Sequence, residues 1–131
     1  MRKLVIASHS NLAKGFKETL EFLTGQTDRI KAVCAYVESN EDIDQQVAEL
    51  MSEEGETIVL TDMAGGSVNQ KFFPYISDRV HVIAGLNLPL AMSILLQIDA
   101  PTLDLNKLVL ESQQQIQYMN AQSNDTIEED E

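Results

Sequence analysis

The sequence predicts an α/β protein with a mainly parallel sheet of four strands and helices on both faces. Short apolar runs alternate along the chain with longer segments in which apolar residues recur at helical spacing. Such alternation is typical of a parallel sheet whose connecting helices cover it. The strand-like runs are continuously apolar, as expected for strands buried on both faces. We expect the strand order 2-1-3-4, in which the third strand lies beside the first.

The first half of the chain supplies three of these strands and two helices. The predicted strands are Lys3–Ser8, Ile30–Val37 and Thr57–Thr61. The first helix has Ser10 or Asn11 as its N-cap and Gly25 after its end, and its apolar positions are Leu12, Phe16, Leu20 and Leu23. The second helix is capped by Asn40 and closed by Gly55, and its apolar positions are Ile43, Val47, Leu50 and Met51.

The second half continues the alternation. A short helix is predicted from about Ser67, kinked or ended around Pro74, because proline lacks the amide donor and clashes with the preceding turn. The fourth strand is predicted at Val80–Ala84. Two more helices follow, Leu88–Ile98 with a proline in its first turn and roughly Asp104–Asn120.

Length and composition indicate one globular domain with an acidic end. The chain has 131 residues and a net charge of −12, which disfavours nucleic acid or an anionic membrane as a partner. We expect residues 1–120 to form the domain and residues 121–131 to be an acidic, flexible tail. The sequence shows no signal peptide or membrane span, and its one cysteine, Cys34, lies in an apolar run. These features indicate a cytoplasmic protein.

Two predicted strands end in polar residues. His9 follows the first strand, and Asp62 follows the third, ahead of Gly65, Gly66 and Ser67. Ligands of open parallel sheets bind at the carboxyl ends of the strands. These residues are therefore the candidate site.

Histidine chemistry is what this set of residues allows. With two histidines and one cysteine there is no metal-ligand cluster, and neither a P-loop nor a dinucleotide fingerprint is present. An imidazole has an unperturbed pKa of about 6.5 and can accept a phosphoryl group near neutral pH. We assign Asp62 to Nδ1 of His9, which leaves Nε2 as the nucleophile. The amides of Gly65, Gly66 and Ser67, with the Ser67 hydroxyl, are predicted to bind the phosphate.

Each residue also has a plainer interpretation. His9 could be a loop or capping residue, Asp62 could cap the following turn, and the two glycines with Ser67 could be only a tight connection. The second histidine, His81, is expected to be an ordinary strand residue, and Tyr36 and Glu38 are interpreted as sheet and loop residues. The coincidence of His9, Asp62 and the glycine turn favours the functional interpretation.

The chain resembles the IIA component of the mannose-family phosphoenolpyruvate-dependent sugar phosphotransferase system over roughly residues 1–120. The segments that carry the resemblance are Leu4–His9, Thr19–Gly25, Ala32–Glu38, Leu60–Asp62, Gly65–Ser67 with Asn69, and Val82–Pro89. The resemblance implies that His9 is phosphorylated by the phosphocarrier protein HPr and passes the group to a IIB component, with Asp62 as its hydrogen-bond partner. It also implies no cofactor, a homodimer in which an antiparallel strand is exchanged, and indirect association with the membrane components IIC and IID.

Two other functions stay open at this point. A relative in the same family donates phosphate to dihydroxyacetone kinase, so the final acceptor could be a kinase subunit. A non-catalytic flavin or nucleotide-binding module is the second alternative, because Ser8, Ser10, Asn11 and Gly15 loosely resemble a phosphate-holding loop after the first strand. The absence of tryptophan and the 5% aromatic content leave little to stack on a flavin.

Overall fold

Four parallel strands form the single sheet of the computed structural model, which describes residues 1–37 and 43–121. The strands are β1 (Arg2–His9), β2 (Ile30–Ala35), β3 (Glu56–Thr61) and β4 (Val80–Ala84). Their order is β2-β1-β3-β4, and all neighbouring pairs are parallel. The predicted fold class and strand order are confirmed. The predicted exchange of an antiparallel strand in a dimer stays a prediction.

The register of the sheet brings the ends of the strands to a common edge. His9 on β1 pairs with Ala35 on β2, and Ala7 pairs with Thr61 on β3. Thr61 in turn pairs with Ala84 on β4. The loops that follow β2, β1 and β3 are therefore neighbours at the carboxyl edge.

Within the described ranges, five helices with defined bounds and one 3-10 turn connect or follow the strands. They are α1 (Leu12–Thr24), α2 (Asp44–Ser52), α3 (Ser67–Gln70), the turn Phe73–Tyr75, α4 (Leu88–Leu96) and α5 (Leu105–Gln113). Gly25 ends α1 in the left-handed conformation with φ 74°, which glycine adopts without steric cost. The side chain of Asn87 accepts a hydrogen bond from the Leu90 amide, and that of Asp104 from the Lys107 amide, so both cap the helices that follow.

The helices cover both faces of the sheet, as predicted. The face toward α1, α4 and α5 buries Leu4, Ile6, Ala13, Leu20, Ile30, Ile58, Leu60, Leu90, Ala91, Ile94, Leu95, Ile98 and Leu108. The face toward α2 and α3 buries Val5, Ala7, Val33, Ala35, Ile43, Val47, Met51, Val59, Val68, Phe72 and Val80. Alternate residues of β1 thus enter opposite cores, which fixes the strand between two apolar layers.

Some boundaries differ from the predicted ones. The last helix was expected to reach Asn120, but α5 ends at Gln113. Residues 114–118 are not helical, and residues 119–121 are helical again. Ile116, Tyr118 and Met119 are exposed, so no packing supports one continuous helix to Asn120. The second strand ends at Ala35 rather than Val37, because Tyr36 has φ 60°, which is incompatible with a strand.

The first helix shows two further differences. Leu12 and Leu23, predicted on the buried side of α1, are exposed, and Ala13 is buried with Leu20. Neither Ser10 nor Asn11 caps α1 through its side chain; instead the Ser8 hydroxyl accepts a hydrogen bond from the Ala13 amide at 2.7 Å.

Other predictions fall on residues that the structure does not describe. The proposed cap Asn40, the loop residue Glu38 and the acidic tail beyond residue 121 lie outside the described residues. Within the described part of the chain, no helix has the length and apolar character needed to cross a bilayer.

Candidate active site

His9 and Asp62 lie side by side at the carboxyl edge of the sheet. His9 is the last residue of β1, and Asp62 follows directly after β3, the strand next to it. One oxygen of Asp62, Oδ2, lies 2.8 Å from both the His9 amide nitrogen and the ring Nδ1. The other oxygen accepts a hydrogen bond from the Met63 amide at 3.0 Å. The structure therefore places the carboxylate beside the ring atom to which the sequence assigned it.

Asp62 is held in its charged form. Burial raises the pKa of Asp62, but the hydrogen bonds from the amide and the ring of His9 and from the Met63 amide outweigh it, so the pKa lies below its usual value. A carboxylate can only accept hydrogen bonds. Nδ1 of His9 must therefore carry the hydrogen of a neutral ring, and Nε2 carries the lone pair.

The other side of the imidazole faces the loop after β3. The Ser67 hydroxyl lies 3.2 Å from Nε2 of His9, and with Nε2 unprotonated the hydroxyl is the donor. A Cβ atom built on Gly66 would lie 3.8 Å from His9 Cε1. The side chain of His9 is 37% exposed, against 10% for Asp62. The contact between Nε2 and the Ser67 hydroxyl is itself exposed, so the lone pair of Nε2 is on the accessible side of the ring.

The turn that carries Ser67 is held by two side chains of α3. Asn69 is buried and accepts a hydrogen bond from the Gly65 amide at 3.0 Å, while its own amide donates to the Thr61 hydroxyl at 2.7 Å. Gln70 donates to the Gly65 carbonyl at 2.8 Å. Gly65 has φ 73°, a conformation that favours glycine. These bonds fix the turn against β3.

The predicted phosphate contacts divide into two kinds. The Gly65 amide donates to Asn69, and the Gly66 amide donates to the Met63 carbonyl at 3.3 Å, so both are engaged inside the turn. The Ser67 hydroxyl faces the ring instead. Of the predicted set, Ser67 and Gly66 lie against His9, whereas Gly65 shapes the turn.

Tyr36 belongs to this site, although the sequence interpretation missed it. Its ring lies 5.5 Å from the His9 ring, centroid to centroid, with an angle of 33° between the planes. Because β2 neighbours β1, the expected strand order places the residue after β2 near His9, but the contact itself depends on the left-handed backbone of Tyr36. Ser8, which starts α1, was also missed in that role.

His81 lies apart from these residues. It is the second residue of β4, pairs with Ile58, and its Nε2 lies 3.1 Å from Glu56. Hydrogen bonds from Arg2 and His81 outweigh burial, which alone would raise the pKa of Glu56, and hold that pKa below its usual value. The structure therefore joins one of the two histidines to Asp62 and leaves the other in the sheet, as expected.

Fold and site together define an open, all-parallel α/β domain with a histidine–carboxylate pair at the carboxyl edge of its sheet. Comparison with protein families identifies which domain of this kind it is. The family EIIA-man, described as PTS system fructose IIA component, matches residues 3–108. The chain belongs to this family and is a IIA component of a sugar phosphotransferase system. The resemblance inferred from the sequence is confirmed.

Solved structures agree with this assignment. A protein of Klebsiella pneumoniae subsp. pneumoniae MGH 78578, assigned as a permease of the phosphoenolpyruvate-dependent sugar phosphotransferase system, is 35% identical, with 91% of each chain covered and a TM-score of 0.81. The PTS IIA protein associated with the fucose utilization operon of Streptococcus pneumoniae is 30% identical over 92% of this chain and 95% of that one, with a TM-score of 0.78.

A more distant relative shares the fold. The mannose/sorbose specific IIA subunit from Enterococcus faecalis is 23% identical, covers 86% of this chain and 87% of that one, and has a TM-score of 0.64. Comparison with curated protein sequences gave no match.

Proposed function

We propose that this chain carries a phosphoryl group on His9, accepting it from phospho-HPr and passing it to a IIB component in the cytoplasm. The observation that carries the proposal is the 2.8 Å contact between Nδ1 of His9 and Asp62, which leaves the Nε2 lone pair on the accessible side of the ring. Membership of the IIA family supports the same role.

The transfer step follows from this geometry. The Nε2 lone pair attacks phosphorus, the bond between phosphorus and the donor atom of HPr breaks, and the electron pair of that bond stays on HPr. The hydrogen on Nδ1 remains in place, so the phosphorylated ring gains a positive charge. Asp62, charged and mostly buried, stabilises that charge and keeps the ring in the reactive tautomer. In the second transfer the same bond to Nε2 breaks toward the IIB component.

Ser67 and Gly66 would accommodate the phosphoryl group. The Ser67 hydroxyl lies 3.2 Å from Nε2 and can turn to donate to a phosphoryl oxygen. Gly66, with no side chain, leaves space near His9 Cε1. Gly65 contributes by keeping the turn in place through its bond to Asn69.

Phosphorylation in a reconstituted relay tests the proposal. The protein is incubated with phosphoenolpyruvate, enzyme I and HPr, and its intact mass is measured. We expect one acid-labile phosphoryl group on the wild type and on His81→Ala, and none on His9→Ala. His81 is the matched control because it is the other histidine of the chain. A phosphoryl group that remains on His9→Ala and disappears from His81→Ala would refute the assignment.

Transfer to different acceptors separates the sugar pathway from the alternatives. We expect the phosphorylated protein to lose its group to a IIB component and not to a dihydroxyacetone kinase subunit. Preference for the kinase subunit would select that alternative. If the purified protein shows a flavin absorption band and accepts no phosphoryl group, the result would favour the alternative of a flavin or nucleotide-binding module.

We further propose that the chain is a homodimer that uses the β4 edge of the sheet. A groove of about 510 Å³ runs between β4 and α5, and it is lined by apolar residues that include Val82, Leu105 and Val109. Beyond α5, Ile116, Tyr118 and Met119 expose apolar side chains. Exposed sheet edges invite pairing with a strand of another chain, and the segment after α5 supplies suitable apolar residues.

Sedimentation tests the dimer. We expect about twice the chain mass of 14.6 kDa at micromolar protein. Ile116→Asp should shift the protein toward the monomer, whereas Phe22→Asp, at a similarly exposed position on α1, should not. A monomeric wild type would remove the strand exchange from the proposal.

A further inference from the structure

The residue after β2 combines two unusual features. Tyr36 has φ 60° although it is bulky, and its side chain is directed at the His9 ring rather than into either core. Left-handed backbone is rare for such residues, and glycine or asparagine is typical there. Strained positions of this kind are concentrated at functional sites. The conformation of Tyr36 therefore requires a reason beyond packing.

The two turns at this edge are joined to each other. Ser10, directly after His9, also has a positive φ of 55°, and its amide donates to the Ala35 carbonyl at 2.6 Å. His9 and Ala35 are paired in the sheet. The backbone that precedes Tyr36 is thus tied to the backbone that follows His9, which fixes the tyrosine beside the imidazole.

The contact between the rings differs from the other contacts of His9. Asp62 and Ser67 contact the ring at its two nitrogens, and Gly66 lies near Cε1 without a side chain of its own. The Tyr36 ring instead lies beside the imidazole at a centroid distance of 5.5 Å, with the two planes tilted by 33°. This separation lies within the range of about 4.5–7 Å for aromatic pairs and within the limit of about 6 Å for a cation near an aromatic face.

We propose that Tyr36 is a positioning residue for phosphoryl transfer: its π-face orients the His9 ring and stabilises the positive charge that the ring gains on phosphorylation. This inference rests on the proposed role of His9. The attraction of a cation to an aromatic face needs the ring and not the hydroxyl. Phenylalanine at this position should therefore support the same rate of transfer as Tyr36, whereas an aliphatic side chain of similar bulk should not.

Single-turnover transfer from phospho-HPr tests the inference in four variants. Tyr36→Leu is expected to transfer about fivefold more slowly than the wild type, while Tyr36→Phe stays within about twofold. Phe22→Leu, at an exposed position about 15 Å along α1 from its start, is the control and should transfer normally. Tyr36→Gly is included because glycine adopts this backbone without strain; it should fold and be as slow as the leucine variant.

Two outcomes would overturn the inference. A leucine variant as fast as the wild type would show that no aromatic face is needed. A phenylalanine variant as slow as the leucine variant would assign the effect to the hydroxyl.

NMR of the unphosphorylated protein separates this inference from the proposed function. The His9 ring protons lie beside the Tyr36 ring, so their resonances should move in Tyr36→Leu and return in Tyr36→Phe. Unchanged resonances in the leucine variant would refute the stack whether or not phosphate is transferred. If the wild type takes no phosphate while the resonances move as expected, the proposed function fails and the contact stands.

Discussion

Replacing Asp62 by asparagine changes the charge of the site while conserving its shape. The carboxylate accepts three hydrogen bonds, two at Oδ2 from the amide and ring of His9 and one at Oδ1 from Met63. An asparagine has one accepting oxygen and one donating amino group. If the oxygen faces His9, the amino group meets the Met63 amide. If the amino group faces His9, it meets the His9 amide and selects the tautomer that has its hydrogen on Nε2.

The size of the effect follows from two bounds. A hydrogen bond to a charged group is worth about 1.5–3 kcal/mol and a neutral one about 0.5–1.5 kcal/mol, so the lost charge costs at least about 1 kcal/mol. Two full charges about 4 Å apart interact by about 4 kcal/mol at an effective dielectric constant near 20. The 10% exposure of Asp62 limits solvent screening. We therefore expect a barrier increase of about 1–4 kcal/mol, or a loss on the order of 5- to 10³-fold.

Rapid-quench transfer measures this loss in both directions, from phospho-HPr to the protein and from the phosphorylated protein to a IIB component. The phosphoryl group should still be found on His9, arriving and leaving more slowly. An unfolding curve for each protein checks that Asp62→Asn is folded under the assay conditions. Rates within twofold of the wild type in both directions would refute the reasoning and show that Asp62 only caps the loop that follows β3.

Three further predictions concern the Ser67 hydroxyl, the hydrogen bonds of Asn69 and the lowered pKa values of two carboxylates. Ser67→Ala removes the hydroxyl 3.2 Å from Nε2 and should slow transfer about 3- to 10-fold in the same assay; an unchanged rate would exclude a phosphate contact. Asn69→Ala leaves the Gly65 amide and the Thr61 hydroxyl unpaired, so urea unfolding should show a loss of about 2–4 kcal/mol. The exposed Gln46→Ala on α2 should change the stability by no more than about 0.5 kcal/mol, and equal losses would contradict the buried network. The pKa values of Asp62 and Glu56 are lowered in the folded protein. Their charged forms therefore stabilise the folded protein above the unfolded pKa of about 4, and the melting temperature should fall as the pH drops below about 4. A melting temperature that rises on acidification would contradict this prediction.

The fold could be predicted because its signals are local. β4 matches the predicted Val80–Ala84, and α4 begins at Leu88 as expected, because an apolar run and a capping asparagine with a proline mark them. The end of α5 could not be found in this way. No glycine or proline interrupts the sequence between Leu105 and Asn120, and the helix stops where tertiary packing stops.

The candidate site could be predicted only in part, for a similar reason. His9 and Asp62 each end an apolar run, so strand order alone brings them together. The contact of Tyr36 with His9 depends on a left-handed backbone at Tyr36, and nothing in the local sequence calls for that conformation at a tyrosine. The internal bonds of the Gly65 and Gly66 amides likewise depend on where Asn69 and the Met63 carbonyl lie.

The position of the histidine follows from the path of the chain through the sheet. From β1 the chain passes through α1 to β2 on one side, and then through α2 to β3 on the other side of β1. α1 packs on one face of the sheet and α3, which follows β3, on the opposite face. The loops after β1 and β3 therefore lead to opposite faces of the sheet, and open α/β sheets bind their ligands at the carboxyl ends of such a strand pair. His9 ends the first of these strands, and Asp62 with Ser67 follows the second, within contact of the His9 ring. A histidine at the end of β4 would have the loop after β3 on one side and the sheet edge on the other, with no diverging pair of loops around it.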